Sequence, residues 1–222
     1  MALLFATMLM FGEATVMSAE TEISVYDTTP TWAQAVSEEM PSSWAVEYIE
    51  RAWELDILPD AFRFGFGRST TRAEFANIAI ALYEQFSEPT TGRVTFIDTT
   101  DPNVEKAAYL GIVFGVGDNR FDPYSPLTRE QVAGMLTNLF FVLNASVDLN
   151  LPAMFDLPLL SDLFTDHAQV SSWASDSVTV ARMLGIMRGV GDRRFDPGGS
   201  YTIEQSIVTI MRLHDRFSRS LS

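Results

Sequence analysis

Apolar residues recur three and four positions apart along much of the chain, which is the spacing of one face of an α-helix. Two clear examples place them at i, i+3, i+4 and i+7: Phe75, Ile78, Ala79 and Leu82 in one stretch, and Val132, Met135, Leu136 and Leu139 in another. A convincing alternation of polar and apolar residues, typical of a strand, occurs only in the short stretch 92–98. The hydrophobic pattern therefore predicts an all-α protein.

The starts and ends of these helices are also marked in the sequence. A Thr-x-x-Glu/Gln pattern, in which the threonine caps the helix and the third helical residue reaches back, precedes three long helical stretches. The capping threonines are Thr71, Thr128 and Thr202. A shorter helical stretch comes before each of them, beginning near Trp44, Val104 and Trp173. The second and third of these shorter stretches run into a glycine, a common helix stop.

The order of these elements repeats along the chain. The sequence GVGDNRFDP at residues 115–123 returns 74 residues later as GVGDRRFDP at 189–197. The match extends without gaps over residues 110–131 and 184–205, and a more diverged copy with a loop two residues shorter lies around Gly65. The repeated unit is helix–loop–helix, and three copies are predicted.

These repeats divide the chain into segments. The predicted repeats cover residues 44–88, 92–143 and 162–217, with an apolar linker at 144–161 and an N-terminal lead-in at 20–43. A lone helix–loop–helix buries too little surface to be stable, so the three repeats are expected to form one cooperative unit.

Residues 1–19 resemble a secretory signal peptide. An apolar stretch at 2–12 is followed by small residues that allow cleavage after Ser18 or Ala19. The stretch is too short to span a bilayer comfortably. No Lys or Arg precedes it, so a buried or amphipathic N-terminal helix is the alternative. The signal-peptide interpretation predicts a secreted protein.

The charge of the chain excludes several partners. Its formal net charge is −14, from 29 acidic and 15 basic side chains, and Lys106 is the only lysine. Such a field repels nucleic acid and anionic membranes, and no basic run exceeds the pair Arg193 and Arg194. Neither nucleic acid nor, for the mature protein, a membrane is an expected partner.

Little in the sequence points to an enzyme. The chain has no cysteine, which removes disulfides and thiolate chemistry, and its two histidines, His167 and His214, stand in no Ser- or Asp-bearing catalytic motif. A carboxylate pair for glycoside hydrolysis stays open, because the separation of such a pair depends on the fold. No enzymatic activity, cofactor or metal site is expected.

Taken together, the motifs resemble the S-layer homology (SLH) domain of bacterial cell-surface proteins. They are FTD at 164–166, WA at 173–174, GI at 185–186, RFDP at 194–197 and TRAE at 71–74, within a resemblance that covers about residues 44–217. The resemblance implies three repeats in a pseudo-threefold arrangement around a central helical bundle. It also implies binding of a secondary cell-wall polysaccharide, typically pyruvylated, that fastens the protein to peptidoglycan at the bacterial surface.

Candidate ligand-binding residues follow from this chemistry. Arginines just inside a helix N-terminus, together with free backbone N–H groups, suit an acidic sugar substituent. Glycines let backbone amides approach a sugar, and a tryptophan offers a ring face. With the Phe-x-Asp aspartates, the set is Arg72, Arg129, Asp98, Asp166, Gly115, Gly117, Gly189, Gly191, Trp44 and Trp173.

Each candidate has a structural alternative. The two arginines can be merely solvated, and tryptophans at the start of amphipathic helices pack in the core more often than they serve as sugar platforms. The phenylalanines of the repeated loop, Phe121 and Phe195, are expected to pack. The glycine loops lack the preceding strand of a dinucleotide site. They also lack the spacing of a calcium loop.

The third repeat departs from the pattern, since Ile203 stands where the second repeat has Arg129. Isoleucine cannot neutralise an acid, so the three sites are expected to be unequal, with the second repeat's arginine contributing most. The alternative function is a self-assembling surface-layer or adapter module that binds no polysaccharide.

Overall fold

The computed structural model describes residues 40–146 and 157–221. The predicted signal peptide, the lead-in up to residue 39 and residues 147–156 of the predicted linker lie outside the described residues.

The described residues form seven α-helices and no β-strand, which confirms the all-α class. The helices are α1 (Val46–Glu54), α2 (Arg72–Phe86), α3 (Pro102–Tyr109), α4 (Arg129–Ser146), α5 (Leu160–Leu163), α6 (Ser175–Met183) and α7 (Ile203–Leu221). The expectation of a strand at 92–98 is wrong. That segment is extended, but its backbone N–H groups bond to other backbone carbonyls only from Val94 to Glu105 and from Ile97 to Asn119, so among the described residues it has no strand to pair with.

The predicted helix signals are confirmed at both ends. The Thr71 side chain accepts from the backbone N–H of Glu74 while the Glu74 carboxylate accepts from that of Thr71, and the pairs at Thr128 and Thr202 make the same two bonds with a glutamine. After α3 and α6, Gly111 and Gly185 take the left-handed conformation at φ +76° and +71°, which ends a helix at least cost in glycine.

Helices pair between repeats. The long helix of each sequence repeat packs on the short helix of the next: α2 on α3, α4 on α6, and α7 back on α1. Helix α2 also contacts α4 and α7. The apolar face of each long helix is therefore covered by residues that its own repeat does not supply.

The segments just before the three long helices are joined in a closed ring. The N–H of Thr70 donates to the carbonyl of Tyr201, that of Tyr201 to Leu127, and that of Leu127 back to Thr70, over 2.8, 3.0 and 3.0 Å. This cyclic order is compatible with the pseudo-threefold arrangement, which stays a prediction.

Aromatic side chains fill much of the core. Phe121 and Phe195 are fully buried, as expected for packing residues. The alternative that the tryptophans pack in the core is wrong: Trp44 and Trp173 are 50% and 60% exposed. In each case the following residue, an alanine that is fully buried, takes the inward position instead.

Candidate binding grooves

Two grooves collect predicted binding residues from three different parts of the chain. Groove A contains Arg72, Gly115 and Trp173 and has a volume of about 420 Å³. Groove B contains Arg129, Gly189 and Trp44 and has a volume of about 470 Å³. Each groove combines the first residue of a long helix, the glycine loop of the next repeat and an exposed tryptophan, all at sizes typical of ligand sites.

The two groove arginines are largely buried, and both bond to the neighbouring repeat. Arg72 is 9% exposed and donates from Nε to the carbonyl of Phe121 (2.9 Å) and from Nη2 to that of Phe114 (2.6 Å). Arg129 is 5% exposed and donates from Nε to Phe195 (2.7 Å) and from Nη2 to Arg188 (2.8 Å). They therefore join repeats and are not merely solvated.

Part of each guanidinium stays available to the groove. The Nη1 groups of Arg72 and Arg129 make no hydrogen bond within residues 40–146 and 157–221. Aromatic rings fix the cations from one side: Arg72 Cζ lies 4.7 Å from the Phe121 ring centre, and Arg129 Cζ lies 5.1 Å from that of Phe195. Burial lowers the pKa of both guanidinium groups.

The expectation of free backbone N–H groups at these helix starts is wrong. The N–H groups of Arg72 and Ala73 donate to carbonyls of residues 125 and 123, and those of Arg129 and Glu130 donate to carbonyls of residues 199 and 197. The loop of the following repeat satisfies these donors. Only the arginine side chains can offer donors to a ligand from the helix N-termini.

The four predicted glycines divide into two pairs. Gly115 and Gly189 lie in the grooves, where an added Cβ would come within 2.7 and 2.6 Å of a loop carbonyl oxygen. Gly117 and Gly191 lie outside the groove linings and have φ of +106° and +120°, so the turn itself requires glycine. Gly115 and Gly189 therefore allow two parts of the same loop to lie close together at the groove wall.

The two predicted aspartates support the loops and do not line the grooves. Asp98 accepts from the backbone N–H groups of Phe121 and Asp122, at 2.8 and 2.9 Å. Asp166 accepts equivalently from residues 195 and 196, both at 2.8 Å. The bonds from these N–H groups lower the pKa of Asp98. Burial of Asp166 would raise its pKa, but the N–H bonds outweigh burial and its pKa is lowered too.

The segment just before each groove tryptophan is held by a glutamate that sequence reasoning missed. Glu130 accepts from the backbone N–H and Oγ of Ser171, both at 2.9 Å, two residues before Trp173. Glu204 accepts from the same groups of Ser42, at 2.9 and 3.0 Å, two residues before Trp44. The signal was present: SSWA occurs at both 42–45 and 171–174, and both glutamates are the second residue of their helix.

The grooves differ in charge, which the sequence did not reveal. Groove B includes Arg188 and Arg212 besides Arg129, whereas Phe114 and Asn138 occupy the matching positions in groove A. Among residues 40–146 and 157–221, no carboxylate lines either groove. Both are therefore locally basic in an acidic chain.

The position in the third repeat that corresponds to the groove arginines is built differently. Ile203 is fully buried, as its apolar surroundings predicted. The short helix that packs on α2 is preceded by Asp101, whose carboxylate caps it and accepts from Asn77 at 2.7 Å. No tryptophan stands before this helix.

Comparisons with known proteins agree with the sequence motifs. The S-layer homology domain profile matches residues 98–133 and 163–200. The chain is 28% identical over 217 residues to an endoglucanase from Bacillus sp. (strain KSM-635), a match that covers 95% of this chain and 21% of the relative. It is 26% identical over 183 residues to an amylopullulanase from Thermoanaerobacterium thermosulfurigenes, covering 80% and 9%.

A third relative is described as a cell surface protein. This protein, from Thermoanaerobacter kivui, is 28% identical over 103 residues, covering 46% of this chain and 12% of the relative. The chain thus spans between 9% and 21% of the length of these three relatives. Within the described residues, no helix has the length and apolar character needed to cross a bilayer. The chain carries S-layer homology repeats at 98–133 and 163–200, which support anchoring at the cell surface.

Proposed function

We propose that the chain is a non-covalent anchor that binds an acidic secondary cell-wall polysaccharide, pyruvylated or otherwise carboxylated, in grooves A and B. The observation that carries this proposal is the pairing, in each groove, of an arginine with an unbonded Nη1 and an exposed tryptophan. A guanidinium suits a carboxylate, and an aromatic face suits the apolar face of a pyranose ring.

The groove backbone supplies a further donor. The N–H groups of Gly115 and Gly189 make no hydrogen bond within the part of the chain that the structure describes. In each groove a ligand would meet at least one charged donor, one neutral donor and one ring surface, contributed by three repeats. Such a ligand would bind only where the repeats are assembled.

The proposed role is binding and not catalysis. Two of the relatives are named as glycan-degrading enzymes, but the chain covers only 21% and 9% of their lengths. The grouping of Ser218, His214 and Asp215 on α7 has long contacts of 3.4 and 3.5 Å. Its carboxylate is also engaged in an ion pair with Arg51. These contacts favour a structural role for the grouping.

Co-sedimentation with purified cell walls tests the proposal. Binding to intact walls should be strong. Binding should be lost on walls from which the secondary polymer has been chemically removed, and this bare peptidoglycan is the matched control. Binding that survives polymer removal would contradict the proposal. Assembly into ordered sheets without walls, in place of wall binding, would favour the surface-layer alternative.

A further inference from the structure

Building on the proposed function, we infer that the two grooves recognise different charge states of the polymer. Groove B takes a segment that carries two neighbouring negative charges, whereas groove A takes a segment with one. The juxtaposition that carries this inference is the presence of three guanidinium groups, from Arg129, Arg188 and Arg212, around one groove whose described lining includes no carboxylate.

The two additional arginines have no acidic partner among the described residues. Arg188 is exposed, and no described carboxylate pairs with its guanidinium. Arg212 donates from Nη1 to the carbonyl of Ile186 at 3.1 Å and lies over the Tyr48 ring at 5.6 Å. Its Nε is buried with no hydrogen-bond partner among the described residues. Arg212 is thus held in place, and no described carboxylate neutralises either cation.

The acids that act on Arg129 through their charge are already engaged. Asp166 and Asp196 raise the pKa of Arg129 by charge, against the larger lowering caused by burial. The Asp166 carboxylate accepts the two loop N–H groups, and Asp196 lies 3.6 Å from Arg194. Groove B therefore keeps an excess of positive charge.

Three like charges in one groove repel one another, and an anion that contacts them removes that repulsion. Two neighbouring negative groups on the ligand match the excess positive charge of groove B better than one does. In groove A the matching positions are Phe114 and Asn138, which leave Arg72 as the groove's single lining cation and add an exposed aromatic ring. Groove A therefore suits a ligand with one charge and more apolar surface.

Two kinds of wall chemistry present such charges: carboxylates on adjacent sugars, and a carboxylate next to a phosphodiester. Both offer anionic oxygens to a guanidinium fork. Walls in which carboxylates have been converted to neutral amides keep their phosphodiesters, so they distinguish the two sources.

The test measures wall affinity in chains with one groove weakened. Trp173→Ala weakens groove A so that binding reports groove B, and Trp44→Ala does the reverse. Arg188→Gln removes an exposed charge that has no structural bond. In the Trp173→Ala chain it should lower affinity roughly two- to fivefold at low salt. The difference should vanish at 1 M salt, where charges are screened beyond about 3 Å.

Matched variants check that the change in wall affinity is caused by the charge of the groove. In the Trp44→Ala chain, Arg188→Gln should lower affinity less than it does in the Trp173→Ala chain, whereas Phe114→Arg should strengthen binding and steepen its salt dependence. Arg212→Asn, which copies groove A, should act in the same direction as Arg188→Gln. With amidated walls, loss of the Arg188→Gln effect assigns both charges to carboxylates, and a remaining effect assigns one to a phosphodiester.

The inference is overturned if the parent chain binds walls but Arg188→Gln leaves affinity and salt dependence unchanged in the Trp173→Ala chain. That result would leave the proposed function standing. Failure of the parent chain to bind walls at all would instead contradict the proposed function.

Discussion

Arg129 donates from Nε to the carbonyl oxygen of Phe195, 2.7 Å away and one repeat further along the chain. Arg72 makes the same bond to Phe121. In each case one side chain joins two repeats and also turns its Nη1 toward a groove. Assembly of the repeats and formation of the binding grooves are therefore coupled through the same arginines.

Replacing the two arginines should affect stability and binding together. Arg129→Ala and Arg72→Ala should each lower the free energy of unfolding by roughly 1.5–3 kcal/mol, because carbonyls bonded to a charged donor lose their partner. In urea unfolding, Arg120→Ala is the control, because this arginine is exposed and its ion pair with Asp98 is long, at 3.5 Å.

Among variants that remain folded, Arg129→Ala should weaken wall binding most and Arg72→Ala less. Ile203→Ala should leave binding nearly unchanged, although opening a cavity at this buried position should cost about 2–5 kcal/mol of stability. Equal loss of binding in all three variants would contradict the assignment of the arginines to ligand contact.

Acid should destabilise the protein through Asp98 and Asp166. Their folded-state pKa values are lowered, so the stabilisation is complete above the unfolded value of about 3.9 and is lost as the pH falls through the folded pKa. Asp166→Asn should flatten the acid limb of a stability-against-pH curve. Asp118→Asn, on the exposed turn, is the control, and an unchanged acid limb in Asp166→Asn would exclude this contribution.

Truncation should show that the repeats fold as one unit. Removing residues 164–222 takes away α6 and α7 and uncovers the faces of α1, α2 and α4 that pack against them. Because these apolar faces would then be exposed to water, we expect the remainder not to fold on its own. Calorimetry should detect no cooperative transition, whereas a truncated chain that melts near the parent temperature would indicate independent repeats.

Glu204 should act on binding through Trp44. Glu204→Ala removes both bonds to Ser42, and wall affinity should fall about two- to tenfold. Acrylamide quenching of tryptophan fluorescence should rise in Glu204→Ala, and this rise should disappear when Trp44→Phe is added.

Two comparisons separate this effect from a general loss of stability. Glu204→Gln keeps one acceptor oxygen and should restore part of the affinity, and the exposed Glu88→Ala should change nothing. Lower affinity without a change in quenching would argue against a positioning role for Glu204.

Local signals were enough to predict the helices. The capping boxes, the glycine stops at Gly111 and Gly185 and the apolar stripes all act within a few residues of the sequence. They therefore report structure that is set by the local sequence. The groove residues Arg72, Arg129, Gly115, Gly189, Trp44 and Trp173 were also identified, since motif spacing marked them.

The features that sequence reasoning missed depend on contacts between repeats. Burial of the arginines follows from carbonyls of the next loop, and exposure of the tryptophans follows from the buried alanine beside each one. The charge of groove B could not be predicted, because Arg188 and Arg212 lie 24 positions apart in the sequence and meet Arg129 only in the folded chain. The stretch 92–98 alternates like a strand but has no partner strand.

Wall binding by the double variant Trp44→Ala/Trp173→Ala is the most direct test of the account. Both rings are exposed, so the variant should fold and melt like the parent, which circular dichroism will verify. Each ring contributes roughly 0.5–1.5 kcal/mol beyond its buried area, and their joint loss should lower the affinity for polymer-bearing walls about tenfold or more. A folded double variant that binds these walls as tightly as the parent would contradict the claim that grooves A and B hold the polymer.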